Sequence, residues 1–573
     1  MSLALDNHIG RVSLLPSLYD YDEHSDRMTV AELRVPVLIV GGGPAGLTTS
    51  LLLSRYGVES LLIDKHTSPS PLPRARGVHA RAMEILRVCG ADGDMRAQEL
   101  AVDPGAEWRP RLTDAPVKDV RWQPESEPSS PVEGLAMSQD VFETILRAHA
   151  GRYPGARLWI GTELVSWRRA RDGVEAILIQ RSTGRRIVAR ARYLVAADGA
   201  RSAIRQKLGI AMEGVDDLGG HLTIAFRANL TPWTRSKPRG IYFLTDSSAA
   251  LLWTHADDRW ALVLPESRTA DPALPAKVRQ ALGTPDLPLE VTASGEWTAA
   301  AQTARHYSRG PVFLIGDAAH RFPPVGANGI STAMADAHNL AWKMAAVLSG
   351  SAAESLLATY AEEREPVGRR NVEETGAAWK QVFQPNAAPF SARSLRQIDM
   401  GYQYRSAAIV SDGSPDADPP GADYKPNAAP GRRAPHVQIT ADNRSLSTID
   451  LFDGEFVLLT AERRVWLRAA AQAAATLGVR VIGHRIVEPS WQRAYQVGPD
   501  GAVLVRPDGH VAWRCCSMPT PSDPTPEAQL RAALSTASHP TPGHADLAST
   551  SPRQRRPGRR TAPPDHTTRG CRT

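Results

Sequence analysis

Three short stretches of this 573-residue chain hold residues whose types and spacing suit chemistry on a nucleotide-sized ligand. The first is VPVLIVGGGPAGL, residues 35–47, where Gly41, Gly43 and Gly46 fall at G-x-G-x-x-G spacing. Gly41 permits a sharp turn, Gly43 lets a pyrophosphate approach the backbone, and Gly46 lets a helix pack close to a strand. Pro44 and Ala45 complete the turn, and the helix N-terminus beyond offers free N–H groups and partial positive charge to a diphosphate. A second apolar run, Leu61–Ile63, ends at Asp64 and Lys65, about 20 residues on, where a ribose-binding acid is expected. The second stretch is DGARSAIR, 198–205, in which Asp198 and Gly199 follow the apolar run Leu194–Ala197 and a helix starts near Ser202. The third is GDAAHRFPPVGANGIS, 316–331, with Gly316, Asp317, His320, Pro323, Pro324, Gly329, Ile330 and Ser331 between the apolar run Val312–Ile315 and a long helix. Arg74, Arg76 and Arg81 suit bidentate phosphate contacts, or else form a solvated basic helix face. The stretch 137–150 opens with Ser138 and Asp140 as candidate caps and continues as an amphipathic helix, and Gln139, just before that helix, either binds a ligand or takes a capping role. No nucleophile–base triad accompanies these residues.

The elements that must position them exceed a single core, since a chain of this length divides into two or three domains. Its 42% hydrophobic and 22% charged content is that of a globular protein. No apolar stretch approaches the ~20 residues that span a bilayer. VSLLPSL near the N-terminus is too short and too acidic in its flanks for a signal peptide, so residues 1–34 read as a polar, disordered extension with Met28 as an alternative start. Cys89, Cys515, Cys516 and Cys571 make no C-x-x-C pair, which argues against a zinc site or a disulfide framework and fits a cytoplasmic protein. Of the net charge of +6, residues 515–573 contribute eight Arg and four Asp/Glu, that is +4, so the body carries +2. Neither nucleic acid nor membrane is an indicated partner.

The pattern is α/β with an α+β character. Residues 35–210 read as a Rossmann-like first part with a strand insert, including antiparallel strands at Arg157–Ile160, Leu164–Trp167, Val174–Gln180 and Arg186–Ala191. Residues 91–133 read as irregular, with Trp108 and Trp122. Residues 211–300 alternate polar and apolar, as a mainly antiparallel sheet with one face on a cavity or core. Residues 301–384 return to the first domain, and 385–433 form a Pro/Gly-rich linker, docked in part through Tyr402 and Tyr404. A compact α/β unit follows at 434–514. Residues 515–573 read as a disordered tail with one short helical piece near Pro526–Leu534.

GGGPAG at 41–46, the D-G-x-x-S-x-x-R pattern at 198–205 and the G-D-A-x-H-x-x-P-P pattern at 316–324, in this order, resemble single-component FAD-dependent aromatic hydroxylases of the para-hydroxybenzoate hydroxylase type. GRRAPHVQI, LFDGEFVLL and GAVLVRPDGHVAWR, at 431–439, 451–459 and 501–514, resemble the thioredoxin-like extension of phenol and aromatic polyketide hydroxylases. Within the family the chain looks most like the bacterial aromatic polyketide hydroxylases.

The resemblance implies FAD, with Gly41, Gly43 and Gly46 on its ADP half and Asp64 on the ribose. It places Arg74 at the diphosphate, Gln139 beside the flavin and Asp198 near both FAD and NAD(P)H. Asp317 would meet the ribityl chain, Pro323 and Pro324 the ring, and the N–H groups of Ile330 and Ser331 the pyrimidine edge. His320 would be structural. It further implies NADPH or NADH as reductant, O2, a flavin hydroperoxide as oxygen donor, a phenolic polyketide substrate, and a monomer or homodimer. His221, Phe243, Trp253 and Trp297 are the candidate substrate-pocket residues. A hydroxylase of a small phenol and a non-catalytic flavin-binding relative are the alternatives. A dehydrogenase using NAD alone would need neither of the last two motifs, and the W-x-W-x-I-P signature of flavin halogenases is absent. The chain departs from the family pattern at Val325, Ala327 and Ser331, where Thr, Gly and Asn are frequent. A tail also stands where the family's terminal helix is expected.

Overall fold

Val37, Leu38 and Ile39 are fully buried because helices cover both faces of the sheet they enter, which is why that stretch is apolar without alternation. The computed structural model describes residues 31–541 apart from 74–75, 122–127, 235, 266–272, 383–391, 416–421, 442–443 and 463. Arg74, Trp122, Met28, Cys571 and most of the expected N-terminal extension and tail therefore lie outside the described residues. The sheet runs in the order Ser308–Arg309, Val312–Leu314, Arg186–Ala196, Ala31–Val40, Ser60–Asp64 and Ala156–Ile160. Its central strands are parallel, with Val37 beside Tyr193 on one side and Ser60 on the other. Thr162–Ala170 and Gly173–Gln180 extend it as an antiparallel flap on Arg186–Ala196.

Three expectations change here. The first strand begins at Ala31 and not at 35, since residues 31–34 pair with Ile187–Arg190 and Glu32 meets Arg190 at 2.9 Å. The strand Ala156–Ile160 pairs in parallel with Ser60–Asp64 instead of joining the antiparallel flap. Arg186–Ala191 and Leu194–Ala197 belong to one strand, Arg186–Ala196, polar where it forms the flap and apolar where it enters the core.

The second sheet runs Glu290–Thr298, Gly220–Arg227, Arg259–Leu264, Ala249–His255, Arg239–Leu244, Asp103–Arg109 and Lys118–Arg121. Its last two strands come from the stretch expected to be irregular. There Asp103–Arg109 pairs in parallel with Arg239–Leu244. One face packs on the helix Leu274–Leu282 around Tyr242, Leu251, Trp260 and Leu262. The opposite face turns toward the first domain.

The long helices Asn328–Leu348 and Thr359–Trp379 return the chain to the first domain, where the former packs on the helix Pro44–Arg55. Within 385–433 the described residues are docked in part, as expected. Tyr402 and Tyr404 are buried, and the Tyr404 N–H donates to the Gly431 carbonyl at 2.8 Å. The C-terminal domain holds the sheet order Val481–Arg485, Phe456–Thr460, Ala502–Val505 and Val511–Cys515.

The expected disorder from 515 onward is corrected over its first part. Pro526–Ser538 is a helix capped by Thr525, whose hydroxyl accepts the Ala528 N–H. Leu530, Ala533, Leu534 and Ala537 bury one of its faces against the helix Val465–Leu477. The short helical piece expected near Pro526–Leu534 is thus present, four residues longer, and its docking was not legible because its buried face is two leucines and two alanines among prolines, serines and threonines. No helix among the described residues is long and apolar enough to cross a membrane, and no His/Cys/Asp/Glu cluster there could hold a metal.

Candidate active site

The three motifs converge where the central parallel strands end, the place at which open α/β sheets bind ligands. Gly41 leaves its strand with φ +114°, and a Cβ there would lie 2.1 Å from the Ala197 carbonyl oxygen. A Cβ on Gly46 would lie 2.0 Å from the Gly41 carbonyl oxygen, so glycine is required at both positions. The first and second motifs are therefore in contact. Gly316 brings in the third. It has φ +58°, and a Cβ on it would sit 3.1 Å from the Ala45 Cβ and 3.2 Å from the Ala333 Cβ. Arg205 ties the second motif to the third by donating from Nη1 to the Ala318 carbonyl at 3.0 Å.

The helix Pro44–Arg55 starts at Gly43 without a side-chain cap and without an acid in its first turn, so its N–H groups face outward unclaimed by side chains. Both oxygens of Asp64 are aimed by backbone donors, Oδ2 by Gly42 N–H and Oδ1 by His66 N–H, each at 2.7 Å. Lys65 beside it is exposed. Asp198 accepts the Ile204 N–H through Oδ2 at 3.2 Å, while its Oδ1 is buried with no hydrogen-bond partner among the described residues. Burial raises its pKa against the hydrogen bonds that lower it. Gln139 Nε2 donates to Glu143 Oε1 at 2.7 Å, and that oxygen lies 4.0 Å from the Cβ position of Gly43. Ser138 occupies the N-cap of that helix, but its hydroxyl donates to Asp140 and meets His255 Nε2 at 3.0 Å.

Asp317 is the exposed residue of the turn Gly316–Ala318. The turn is held from behind by Asp336, which is fully buried. Asp336 accepts the Gly316 N–H at 3.1 Å and Arg364 Nε at 2.7 Å, and lies 2.6 Å from His320 Nε2. His320 is thus a buried brace. Pro323 is buried and Pro324 exposed on the loop that follows. The helix Asn328–Leu348 then starts at Ala327 with neither a side-chain cap nor a first-turn acid. Ser331 Oγ accepts the His79 N–H at 3.0 Å, which docks the 77–79 segment on this N-terminus.

Three of the four expected pocket residues share the face of the second sheet that turns toward these motifs. Trp108, Phe243, Ala250, Val263, Thr223 and Gly295 form one row across six strands. Phe243 stacks on Trp108 at 5.0 Å. His221 stacks on Trp297 at 4.7 Å, and Trp379 from the end of the long helix meets its edge at 5.2 Å. Burial lowers the His221 pKa against a hydrogen bond to the Gly219 carbonyl. Leu72 would lie 2.4 Å from a Cβ on Gly295, so the loop after Asp64 crosses this face. Trp253 is the exception and is corrected. The register pairs it with Trp260, so it points to the opposite face and the core under Leu274–Leu282. Trp108 and Trp379 were missed as pocket neighbours. Trp108 lay in a stretch that reads as irregular, and Trp379 ends a helix distant in sequence.

Arg81 is also corrected. It touches neither diphosphate turn nor solvent, but donates to Glu84 at 3.0 Å and to the Asp508 carbonyl at 2.6 Å. It belongs to a buried ionic seam that joins the first domain to the C-terminal one. Arg506 donates to both oxygens of Glu363, at 2.6 and 2.9 Å, and Lys343 meets the same carboxylate at 2.8 Å. Arg433 pairs with Glu84.

The residues present fit FAD. Two glycines are forced by close backbone approach, two helix N-termini carry no side-chain cap, and an oriented carboxylate stands at the end of the second strand. Residues 34–375 match the family model of the FAD binding domain, and residues 427–538 that of the aromatic-ring hydroxylase C-terminal domain. The second match ends where the helix Pro526–Ser538 ends, so the family's terminal helix is present. The chain is 36% identical to a tetracenomycin B2 monooxygenase-dioxygenase of Streptomyces olivaceus, over 88% of this chain and 98% of that one. It is 32% identical to a 4-methyl-5-nitrocatechol 5-monooxygenase of a Burkholderia species, with the same coverage of both chains. Among solved structures it is similar to an aklavinone-11 hydroxylase in complex with FAD and aklavinone. The TM-score is 0.80 and the identity 32%, over 88% of this chain and 99% of that one. With the three motifs built into one site and both domains matched, the chain belongs to the FAD-dependent aromatic-ring hydroxylases, the flavin monooxygenases that act on aromatic rings.

Proposed function

We propose that the protein hydroxylates a phenolic, fused-ring polyketide, using NAD(P)H and O2. The similarity to the tetracenomycin enzyme along nearly the whole of both chains carries this reading. The broad aromatic-faced sheet beside the cofactor site supports it. Bound FAD supplies the redox chemistry, taking electrons from NAD(P)H and activating O2. The chain's own residues do the remaining work. The turn Gly41–Gly46 and the N-terminus of Pro44–Arg55 hold the diphosphate, and Asp64 the ribose. Lys65, exposed next to Asp64, serves the same cofactor half. Gly316 and Asp317 hold the ribityl chain, Gln139 and Asp198 flank it, and Pro323 and Pro324 line the ring. Gly329 leaves the N–H groups of Ile330 and Ser331 open to the pyrimidine edge. His221, Phe243 and Trp297, with Trp108 and Trp379, position the substrate ring and exclude water.

The similarity to the nitrocatechol monooxygenase favours a second reading, in which the substrate is a small phenol. Substrate-dependent NADH and NADPH oxidation across anthrones, naphthacene phenols and single-ring phenols tests this. Turnover of fused-ring phenols alone supports the first reading, and turnover of single-ring phenols alone supports the second.

A further inference from the structure

The buried guanidiniums that brace the domains each meet a carboxylate. Arg81 holds Glu84, Arg364 holds Asp336, Arg433 holds Glu84, and Arg506 holds Glu363. Arg76 does not. Its Nε and Nη1 are shut from solvent and have no hydrogen-bond partner among the described residues. Burial alone acts on its charge and pulls its pKa down to about 10, which leaves it a cation at neutral pH. Arg76 as a whole is half-buried, but two buried donors without a partner cost free energy, and such groups in a native fold call for an explanation.

Its position supplies one. Arg76 leads into the short strand Gly77–Val78, and its carbonyl accepts the Met137 N–H at 3.3 Å, two residues before Gln139. Three residues on, His79 is docked on Ser331 at the N-terminus of the long helix. In the other direction Nη2 lies 3.6 Å from the Cβ position of Gly240 in the second sheet, while Leu72, four residues earlier, covers Gly295. The guanidinium therefore stands between the helix N-terminus assigned to the flavin pyrimidine edge and the sheet assigned to the substrate. Arg239, on the far side of Gly240, has Asp103, Asp119 and Glu107 around it. Carboxylates were thus available to this region of the fold, and among the described residues none reaches Arg76.

We propose that Arg76 is an anion-recognition residue that holds a negatively charged oxygen on a flat aromatic ring within this site. A planar guanidinium suits that task, since it offers parallel N–H donors and stacks on ring faces. Two sources carry this chemistry, the phenolate of the substrate and the ionised pyrimidine edge of reduced flavin. The inference rests on the flavin-hydroxylase reading of the site.

The test uses full-length holoprotein as wild type, Arg76→Met and Arg76→Lys. Yellow wild-type protein that oxidises NAD(P)H with a phenol establishes the underlying reading separately, so its failure is distinguishable from failure of this inference. Two quantities are then compared. One is the ionisation of bound alizarin, a phenol whose absorbance reports its charge. The other is the midpoint potential of the bound flavin. If the anion is the substrate's, Arg76→Met raises the apparent pKa of bound alizarin by at least one unit, Arg76→Lys restores part of it, and the potential is unchanged. If it is the flavin's, Arg76→Met makes reduction at least tenfold less favourable, about 30 mV for two electrons, and alizarin behaves as in wild type. In both cases the melting temperature is unchanged or higher, because two buried, unpartnered donors have been removed. Unchanged potential together with unchanged alizarin affinity and ionisation overturns the inference. A lowered melting temperature with both quantities unchanged overturns it in favour of a packing role.

Discussion

Arg506 of the C-terminal domain grips Glu363 of the long helix Thr359–Trp379 with two parallel hydrogen bonds, 2.6 and 2.9 Å long, in full burial. The next residue of that helix, Arg364, holds Asp336, and Asp336 holds the Gly316 N–H of the cofactor turn. One turn of helix thus links the C-terminal domain to the flavin motif. Removing one partner of a buried pair leaves the other charge uncompensated. Arg506→Ala is expected to lose about 3–5 kcal/mol of stability in urea denaturation. A loss below 1 kcal/mol would show that Lys343 alone satisfies Glu363.

Ala327 takes a left-handed conformation, φ +52°, at the N-cap of the Asn328–Leu348 helix. An L-residue with a Cβ pays about 1–2 kcal/mol there, whereas glycine does not. Ala327 is exposed, so its methyl adds little packing. Ala327→Gly should raise stability by about 1 kcal/mol, readable as an upward shift of the thermal midpoint. A downward shift would mean that the turn does not persist in solution.

Truncation after Arg514 removes the helix Pro526–Ser538, and with it two buried leucines worth roughly 1.5–3 kcal/mol each. It also bares Ala469, Ala470 and Ala473 of the helix beneath. A protein ending at 514 should be poorly soluble or melt early, while one ending at 541 should melt as the full chain does. Equal melting of the two would contradict the packing described.

The meeting of the three motifs was legible in the sequence because their glycines answer to backbone geometry that no other residue satisfies. Gly41, Gly46 and Gly316 announce close approaches, and the acids Asp64, Asp198 and Asp317 stand at the ends of apolar runs. The ionic seam was not legible, because Glu363 and Arg506 are 143 residues apart and each alone reads as a surface charge. Trp253 was placed on the wrong face because period-two alternation does not say which side of a sheet meets a neighbour, and pairing with Trp260 decides it. The strand Asp103–Arg109 was hidden by Pro104 and Gly105, the latter at a close crossing against the Val120 carbonyl.

Two buried histidines of the seam set a pH dependence. Burial, reinforced by Arg81, pushes His338 down to about 3, and burial outweighs Asp508 to hold His510 at about 4. Unfolded histidine titrates near ~6.5. Between those values the unfolded chain binds more protons than the folded one, so stability is full above about pH 6.5 and falls as pH drops toward 4. Two such groups give a slope of up to ~2.7 kcal/mol per pH unit. Glu84 adds a separate window. Burial would raise it, but Arg433 and Arg81 hold it at about 2, so its contribution is lost only below about pH 4.3. Urea denaturation at pH 7, 6 and 5 should show the histidine slope, reduced by about half in His338→Asn. Constant stability from pH 7 to 5 would contradict the buried neutral histidines.

The central claim is that these residues build a flavin site that places oxygen on a phenolic ring. The measurement that tests it most directly is mass spectrometry of product formed by yellow holoprotein, NAD(P)H and a fused-ring phenol under heavy-oxygen-labelled O2. One labelled oxygen atom on the ring is expected, formed only when FAD is bound. In Asp317→Ala the same product is expected at FAD concentrations about ten- to a hundredfold higher, the loss for one charge-assisted hydrogen bond of about 1–3 kcal/mol. Product carrying oxygen from water, or NAD(P)H oxidation by protein that takes up no FAD, would contradict the claim.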